Sequence, residues 1–315
     1  MSMTTAIAKR SRRMAERVAH ARRIEPAWTR PAWPASVRPL HRELVRREPA
    51  VPASRIRATD LAHEHGTSPL VLDLDRVATQ LLKLRHELPD VQIHFAVKSL
   101  PHPALIRAVD AFGASFAVAS RSEVDLLERE RVAISRCLHI HPVKTVADIT
   151  GAYLRGIRTF VVDSLDEVAK FHELPGVAVL VRLSFPNPRA KSELRSPSGI
   201  APEDASALVG QCLRAGIRVA GFTFHVGSRT TSAAPWVHAI RRTLALMRRL
   251  EHAHGIRFDT LDLGGGFPVA DGEPGHDLAT LARGIRAALS AVPSRYRIVI
   301  EPGRFVSAPA VVAAA

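Results

Sequence analysis

Short apolar runs rich in β-branched residues alternate with longer segments of helical periodicity from about residue 66 onward. Several helical segments begin with Ser, Thr, Asp or a first-turn proline, and several end at glycine. The predicted strands are 91–97, 115–119, 137–141, 158–163, 177–184, 218–226, 258–264 and 296–301. Eight strands alternating with helices predict an α/β protein with a (β/α)₈ barrel of the TIM type. A doubly wound open sheet has the same alternation and remains the alternative.

An additional strand and helix are predicted at residues 68–88, before the first barrel strand. Charge separates this body from a basic N-terminal extension, residues 1–66. Residues 1–57 hold 14 Lys and Arg against 4 Asp and Glu, and so carry +10 of the net charge of +14. We interpret the extension as a partly disordered, solubilising segment; an arm for nucleic acid or an anionic surface, or a transit peptide, are alternatives. No recognised nucleic-acid motif accompanies it, so nucleic acid is not a predicted partner.

Hydropathy and cysteine content predict a soluble, cytoplasmic protein with no membrane segment and no metal site. No stretch approaches about 18 consecutive apolar residues, and the N-terminus lacks the apolar segment of a secretory signal. The two cysteines, Cys137 and Cys212, lie far apart and have no metal-ligand neighbours at useful spacing. They are therefore predicted to be small core residues.

Lys98 follows the first predicted barrel strand, within the segment HFAVKSLPHP at residues 94–103. Lysine is rare in this chain, because only six of its 44 Lys and Arg residues are lysines. Unlike arginine, a lysine can lose its proton and act as a nucleophilic amine. A side chain that extends from a strand end into water is the alternative.

Polar residues and glycines also lie at, near or directly after the carboxyl ends of other predicted strands, where (β/α)₈ active sites are built. They are His141, Arg182, His225, Gly264–Gly266 and Glu301–Arg304. Three glycines beside an EPGR segment predict a phosphate site, although a tight turn would also explain the glycines. His225 alone would suit a core position, and a buried Glu301 would need a cationic partner. Together, an amine, a phosphate site, a flat histidine and a carboxylate fit pyridoxal 5'-phosphate.

Seven segments carry a family resemblance, in order along the chain: HFAVKSLPHPALI, FGASFAVASRSEVDLL, HIHPVKTVADI, FVVDSLDEV, FTFHVGSR, LDLGGGFP and IEPGRFV. They resemble the fold III pyridoxal-phosphate-dependent decarboxylases, which have an alanine racemase-like barrel and include ornithine, diaminopimelate and arginine decarboxylases. The resemblance covers residues 67–308, which would be the pyridoxal-phosphate-binding barrel.

The resemblance implies a role for each matching residue. Lys98 would be the Schiff-base lysine, His225 would stack on the cofactor ring, and Glu301 would pair with the ring nitrogen. Arg182 would lie near the ring and support Glu301 or the cofactor, and Glu123 would lie close to the active site. The cofactor, mainly its phosphate, would be held by Ser228, Gly265, Gly266, Gly303 and Arg304.

The resemblance further implies decarboxylation of a basic amino acid by a homodimer. The segment HPVK at 141–144 resembles the ornithine branch, which favours conversion of ornithine to putrescine in polyamine biosynthesis. Diaminopimelate, lysine and arginine remain alternative substrates.

Two departures from the family pattern bear on activity. Ala117 stands where the family has an aspartate, so a carboxylate near Lys98 is lost. Residues 309–315 would be only the start of the family's C-terminal β-domain, and the last barrel helix is expected to be missing or barely begun. The resemblance therefore implies a truncated homologue with incomplete substrate recognition. A non-catalytic homologue that binds a partner remains an alternative.

Overall fold

The computed structural model describes residues 70–171, 173–185, 198–269 and 277–313. The predicted basic extension, residues 1–66, lies outside the described residues. In the described part, short strands alternate with helices along the whole chain, as the sequence predicts.

Eight parallel strands, β2 to β9, pair in chain order and close into a barrel. This closure confirms the (β/α)₈ prediction, and the open-sheet alternative is wrong. The barrel strands are β2 (Val91–Ala96), β3 (Ser115–Val118), β4 (Leu138–His139), β5 (Thr159–Val162), β6 (Ala178–Leu183), β7 (Arg218–Phe224), β8 (Thr260–Asp262) and β9 (Arg297–Ile300).

Nine α-helices occur in the described residues, and most of them follow a barrel strand. They are α1 (Leu74–Glu87), α2 (Pro103–Ala111), α3 (Arg121–Arg129), α4 (Val146–Leu154), α5 (Leu165–Ala169), α6 (Ala205–Arg214), α7 (Ala234–His254), α8 (Leu278–Leu289) and α9 (Arg304–Ser307). Many begin at a side-chain cap that binds free backbone N–H groups. Examples are Asp73 before α1, Thr145 before α4 and Asp277 before α8.

Side chains along each strand face the helices and the barrel interior in turn. The helix-facing set, which includes Phe95 and Phe222, forms the larger core between barrel and helices. The inward-facing set forms a smaller second core, which includes Ala117, Leu180 and Val299. Inward positions at the carboxyl ends of the strands therefore open at the barrel mouth, where the predicted site residues lie.

Helix α1 takes the place of the last barrel helix. It packs against α2, α8 and α9, in the space between β9 and β2. Two side-chain hydrogen bonds tie it to the segment that follows β9: Gln80 Nε2 donates to the carbonyl of Phe305 at 2.9 Å, and Arg76 Nη1 donates to that of Pro309 at 3.0 Å. The last barrel helix is barely begun, as predicted, because α9 spans only Arg304–Ser307, and a helix that precedes the barrel in sequence packs in its place.

The apolar segment after α9 forms strand β10 (Val311–Ala313), which pairs antiparallel with β1 (Leu70–Leu72). This two-stranded sheet is separate from the barrel. The predicted division between a barrel and a C-terminal β-domain at residue 308 remains a prediction. Across the described residues we find no helix with both the length and the apolar character that a membrane crossing requires.

Candidate active site

Lys98 lies in a single 3₁₀ turn, Val97–Ser99, that directly follows β2. Its side chain is exposed, and no hydrogen bond or ion pair joins it to another residue in the described ranges. Its charge nevertheless acts on His225 and on Glu123, where it lowers the pKa of each side chain. The turn thus presents an amine without a protein partner beside a histidine and a carboxyl group.

His225 follows β7 and is held as a neutral ring. Burial, and then the charges of Arg182 and Lys98, lower its pKa to about 4. Its Nδ1 accepts a hydrogen bond from the N–H of Gly227 at 3.0 Å. Because a neutral imidazole carries its one proton on the other nitrogen, the proton is on Nε2.

The three glycines after β8 are fixed by close packing of two loops. A Cβ on Gly264 would lie 2.1 Å from the carbonyl oxygen of Phe224, and one on Gly266 would lie 2.3 Å from that of Gly227. Both glycines also have positive φ, 65° and 102°. The loops after β7 and β8 therefore approach each other through backbone alone, and the tight-turn interpretation of these glycines holds whatever they bind.

Gly265 joins this loop pair to the loop after β9. A Cβ there would lie 2.8 Å from the carbonyl oxygen of Glu301 and 3.4 Å from Nε2 of His225. Gly303 in turn packs on the Lys98 turn, because its Cβ would lie 3.0 Å from Cβ of Ser99. Three of the predicted segments, at the ends of β7, β8 and β9, thus converge on the turn that carries Lys98.

Arg304 and Ser228 lie on the rims of these loops. Arg304 is exposed at the start of α9 and forms no ion pair with any residue that the structure describes. Ser228 is partly buried in the loop after β7. Next to it, Thr230 donates its N–H to the carbonyl of Gly266 at 2.9 Å, which joins this loop to the glycine turn.

The charge of Arg182 acts on His225, where it lowers the pKa, and Arg182 has no contact with Glu301 in the described residues. Its Nε donates to the carbonyl of Ser198 at 3.1 Å, and the carboxylate of Asp163 accepts from the N–H of Gly199 at 3.1 Å. Both side chains therefore bind the segment at 198–199 to the ends of β6 and β5. The alternative role, that Arg182 supports the cofactor, remains a prediction.

Glu301 lies within hydrogen-bonding reach of Asp262, a fully buried residue that ends β8. Thr223 Oγ1 donates to Asp262 Oδ2 at 3.1 Å, and the N–H of Gly264 donates to Oδ1 at 2.9 Å. The sequence analysis did not select Asp262 and Thr223, although both lie near the carboxyl ends of predicted strands. The period-two pattern TLDL would have revealed Asp262, since two leucines that face the helices flank it.

Glu123 lies in the first turn of α3, nearly buried, and its Oε2 accepts from the N–H of Ala119 at 2.8 Å. Burial raises its pKa, against the opposing effects of its hydrogen bonds and of Lys98. Ala117, at the position of the family aspartate, is fully buried in the inner core. Glu123 is therefore the carboxyl group whose charge interacts with Lys98.

Lys144, the lysine of the HPVK segment, is bound by other residues of the chain. Its ammonium group is buried and lies 3.1 Å from Oε2 of Glu167. It also donates to three backbone carbonyls, those of His141, Pro142 and Val161. The motif that favours the ornithine branch thus holds a structural ion pair in this chain.

These residues fit pyridoxal 5'-phosphate as a set. They supply a primary amine without a partner (Lys98), a neutral imidazole (His225) and a carboxyl group (Glu301). They also supply an unpaired guanidinium, Arg304, beside a loop in which glycine alone fits. The Lys98 amine suits the aldehyde of the cofactor, and the His225 ring suits its aromatic ring. The Glu301 carboxyl group suits the ring nitrogen, and Arg304 suits the phosphate.

Comparison with known proteins supports the same cofactor. Residues 74–308 match the family "Pyridoxal-dependent decarboxylase, pyridoxal binding domain". The chain is 32% identical over 255 residues to the ornithine decarboxylase of Leishmania donovani, and the match covers 78% of this chain and 36% of that protein. It is 33% identical over 306 residues to the diaminopimelate decarboxylase of Actinosynnema pretiosum, covering 91% of this chain and 67% of that protein.

A solved structure has the same fold. The lysine/ornithine decarboxylase of Vibrio vulnificus, complexed with cadaverine, superposes with a TM-score of 0.77 at 37% identity. The match covers 83% of this chain and 68% of that one. This chain spans about a third to two thirds of the length of the relatives compared. It belongs to the pyridoxal-dependent decarboxylase family, and residues 74–308 correspond to the family's pyridoxal-binding domain.

Proposed function

We propose that this chain provides the cofactor-binding barrel of a decarboxylase that acts on a basic amino acid, with ornithine as the favoured substrate. The observation that carries the proposal is the unpartnered amine of Lys98 beside the neutral ring of His225, at the mouth of a closed barrel. A lysine that only extends into water does not require three loops to converge on its turn. The convergence on the Lys98 turn therefore favours a site.

Each site residue then has a task that follows from its surroundings. Lys98 holds the cofactor through its amine, since no protein group competes for it in the described residues. His225 presents an uncharged ring face, with its proton on Nε2. Arg304 and Ser228, with the backbone at Gly265, Gly266 and Gly303, bind the phosphate.

Glu301 stabilises positive charge on the ring nitrogen of the cofactor, because a carboxylate next to a base favours its protonated form. When bound, pyridoxal 5'-phosphate supplies an electron-accepting ring for the electron pair released as carbon dioxide leaves. The ring accepts electrons better when its nitrogen is protonated, and the Glu301 carboxylate would favour that protonated form.

Covalent attachment tests the proposal directly. The protein is mixed with pyridoxal 5'-phosphate, reduced with borohydride and digested, and the modified peptide is identified by mass spectrometry. We expect label at Lys98, no label at that peptide in Lys98→Ala, and full label in the matched control Lys83→Ala, whose lysine is exposed on α1. Equal labelling of wild type and Lys98→Ala would contradict the assignment.

Release of carbon dioxide identifies the substrate. Carboxyl-labelled ornithine, lysine, arginine and diaminopimelate are compared at equal concentration, and ornithine is expected to react fastest. Diaminopimelate is the second candidate, because the relative with that activity matches the largest share of this chain among those compared. Attachment at Lys98 without carbon dioxide release from any of them would support the impaired homologue instead. A homodimer and a cytoplasmic location remain predictions.

A further inference from the structure

Asp262 is a carboxyl group sealed inside the barrel. It ends β8, its side chain is 0% exposed, and its neighbours Leu261 and Leu263 both pack on the helix-facing core. By strand alternation its own side chain points into the barrel. An ionised carboxylate in this position would be costly unless a cation or several donors compensated it.

Two donors and one acceptor surround this carboxyl group. Thr223 on β7 donates to Oδ2, and the Gly264 N–H donates to Oδ1. The third partner is the carboxyl group of Glu301, which can only accept when it is ionised. Strand register explains the contact: the N–H of Glu301 donates to the carbonyl of Gly264, two residues beyond Asp262.

No cation pairs with either carboxyl group among the described residues. The charged groups that act on Asp262 are Arg297 on β9 and Glu301 directly after it, and β7 contributes only the neutral Thr223. Arg297 lies two inward positions below Glu301, and its Nη2 donates to Thr260 Oγ1 at 3.0 Å. Burial, followed by the charge of Glu301, raises the pKa of Asp262 well above its ordinary value.

Two carboxyl groups in hydrogen-bonding contact are stable when they share one proton. We propose that Asp262 holds that proton and donates it in a hydrogen bond to Glu301, so that Asp262 is a neutral positioning residue which orients an ionised Glu301 at the barrel mouth. Glu301, the member of the pair that is partly exposed, then keeps its charge for the cofactor ring. This role rests on the proposed function, because it assigns Glu301 to the ring nitrogen.

The proton can be located in the protein before any cofactor is added. Infrared difference spectra between wild type and Asp262→Asn at neutral pH should show the carbonyl band of one protonated carboxyl group, lost in the variant. The difference form is needed because Glu123, whose pKa burial also raises, could contribute a similar band. Glu301→Gln should keep the band at a shifted frequency. A band that persists in Asp262→Asn, or is absent from wild type, would overturn the proposal.

Cofactor affinity tests the positioning role separately. Asparagine has the shape of aspartic acid, and its NH₂ group can donate to Glu301, so Asp262→Asn should bind pyridoxal phosphate nearly as wild type does. Asp262→Leu cannot donate and should weaken binding roughly 10- to 100-fold, as expected for loss of a hydrogen bond to a charged group. Equal affinity of the Leu and Asn variants would refute the role.

The infrared measurement does not depend on Lys98. It determines the protonation state of Asp262 even if Asp262→Leu fails to fold. A protonated Asp262 together with no covalent label at Lys98 would refute the proposed function and leave the protonation of Asp262 in place. Label at Lys98 together with ionised carboxylates at both Asp262 and Glu301 would refute the inference about Asp262 and leave the proposed function in place.

Discussion

Two lysines in the described part of the chain lie in segments that follow a barrel strand, and their surroundings differ. Lys98 follows β2 on an exposed turn and has no hydrogen-bond or ion-pair partner in the described residues. Lys144 follows β4, has a side chain that is 1% exposed, and contacts Glu167 and three backbone carbonyls. A lysine whose three donors are all used is part of the scaffold, whereas one whose donors are free can do chemistry.

The largest expected effect on activity is that of removing the amine of Lys98. Lys98→Met should abolish cofactor attachment and decarboxylation, because methionine keeps much of the chain length but has no amine. The free energy of unfolding should stay within about 0.5 kcal/mol of wild type, since an exposed side chain without partners is removed. Urea unfolding and borohydride labelling of the same sample measure both quantities.

Lys144→Met should have the reverse result, a loss of stability with cofactor attachment at Lys98 retained. It leaves the Glu167 carboxylate buried with only Lys170 as cation, and it should lower the free energy of unfolding by about 3 kcal/mol. The matched control is Lys170→Met, whose side chain is 27% exposed and whose loss leaves the Lys144–Glu167 pair intact. This control should cost about 1 kcal/mol. Urea unfolding that ranks the two variants equally would contradict a structural role specific to Lys144.

A glycine pair tests whether the mouth loops are held by packing. Gly264→Ala adds a clash with the Phe224 carbonyl to the strain of positive φ, and it should cost about 2 to 3 kcal/mol. Gly216→Ala, before β7, has a similar φ of 69° but nothing within 4 Å of the added Cβ. It should cost about 1 kcal/mol. Thermal unfolding and cofactor titration of both variants measure the difference. Similar losses of stability in the two variants would show that the mouth loops can move to accommodate the added methyl group.

The smallest expected effect is electrostatic and compares one histidine near each lysine. Burial is the first cause that lowers the pKa of both His225 and His139 to about 4; further lowering comes from Arg182 and Lys98 at His225, and from Lys144 and His141 at His139. Lys98→Met should therefore raise the pKa of His225 slightly and leave His139 unchanged, and Lys144→Met should do the reverse. NMR titration of the ring protons resolves the two sites, and a change at the distant histidine would contradict this assignment.

The same histidines set a pH dependence of stability. In the unfolded chain they take up protons near pH 6.5, whereas in the folded protein they do so only near pH 4. Stability should therefore fall as pH drops from about 6.5 to about 4. His225→Gln should reduce that slope in urea unfolding, and an unchanged slope would show that His225 is protonated in the folded state.

Much of the fold could be predicted from local pattern. All eight predicted barrel strands exist, and the extra strand and helix before them are β1 and α1. The ends were less predictable: the strand predicted at 258–264 spans only Thr260–Asp262. The chain leaves strand geometry at Gly264, whose φ is positive because two loops meet there.

The roles of the site residues remain predictions. Reading strand ends selected Lys98, His225 and Glu301, and parallel strands of a barrel bring their carboxyl ends to one mouth. It did not select Asp262. Arg182, assigned to Glu301 or to the cofactor, has no contact with Glu301 in the described residues, and its role towards the cofactor remains a prediction.

By itself, the sequence determined the number and order of the strands and the set of polar groups at their ends, because both follow from residue patterns along a short stretch of chain. Only the tertiary structure decided that α1 packs in the place of the last barrel helix, which lysine is paired, and that the carboxyl groups of Asp262 and Glu301 meet. These properties depend on contacts between residues far apart in sequence. Charge states and partners are set by those contacts, because burial and neighbouring charges determine whether a side chain can ionise.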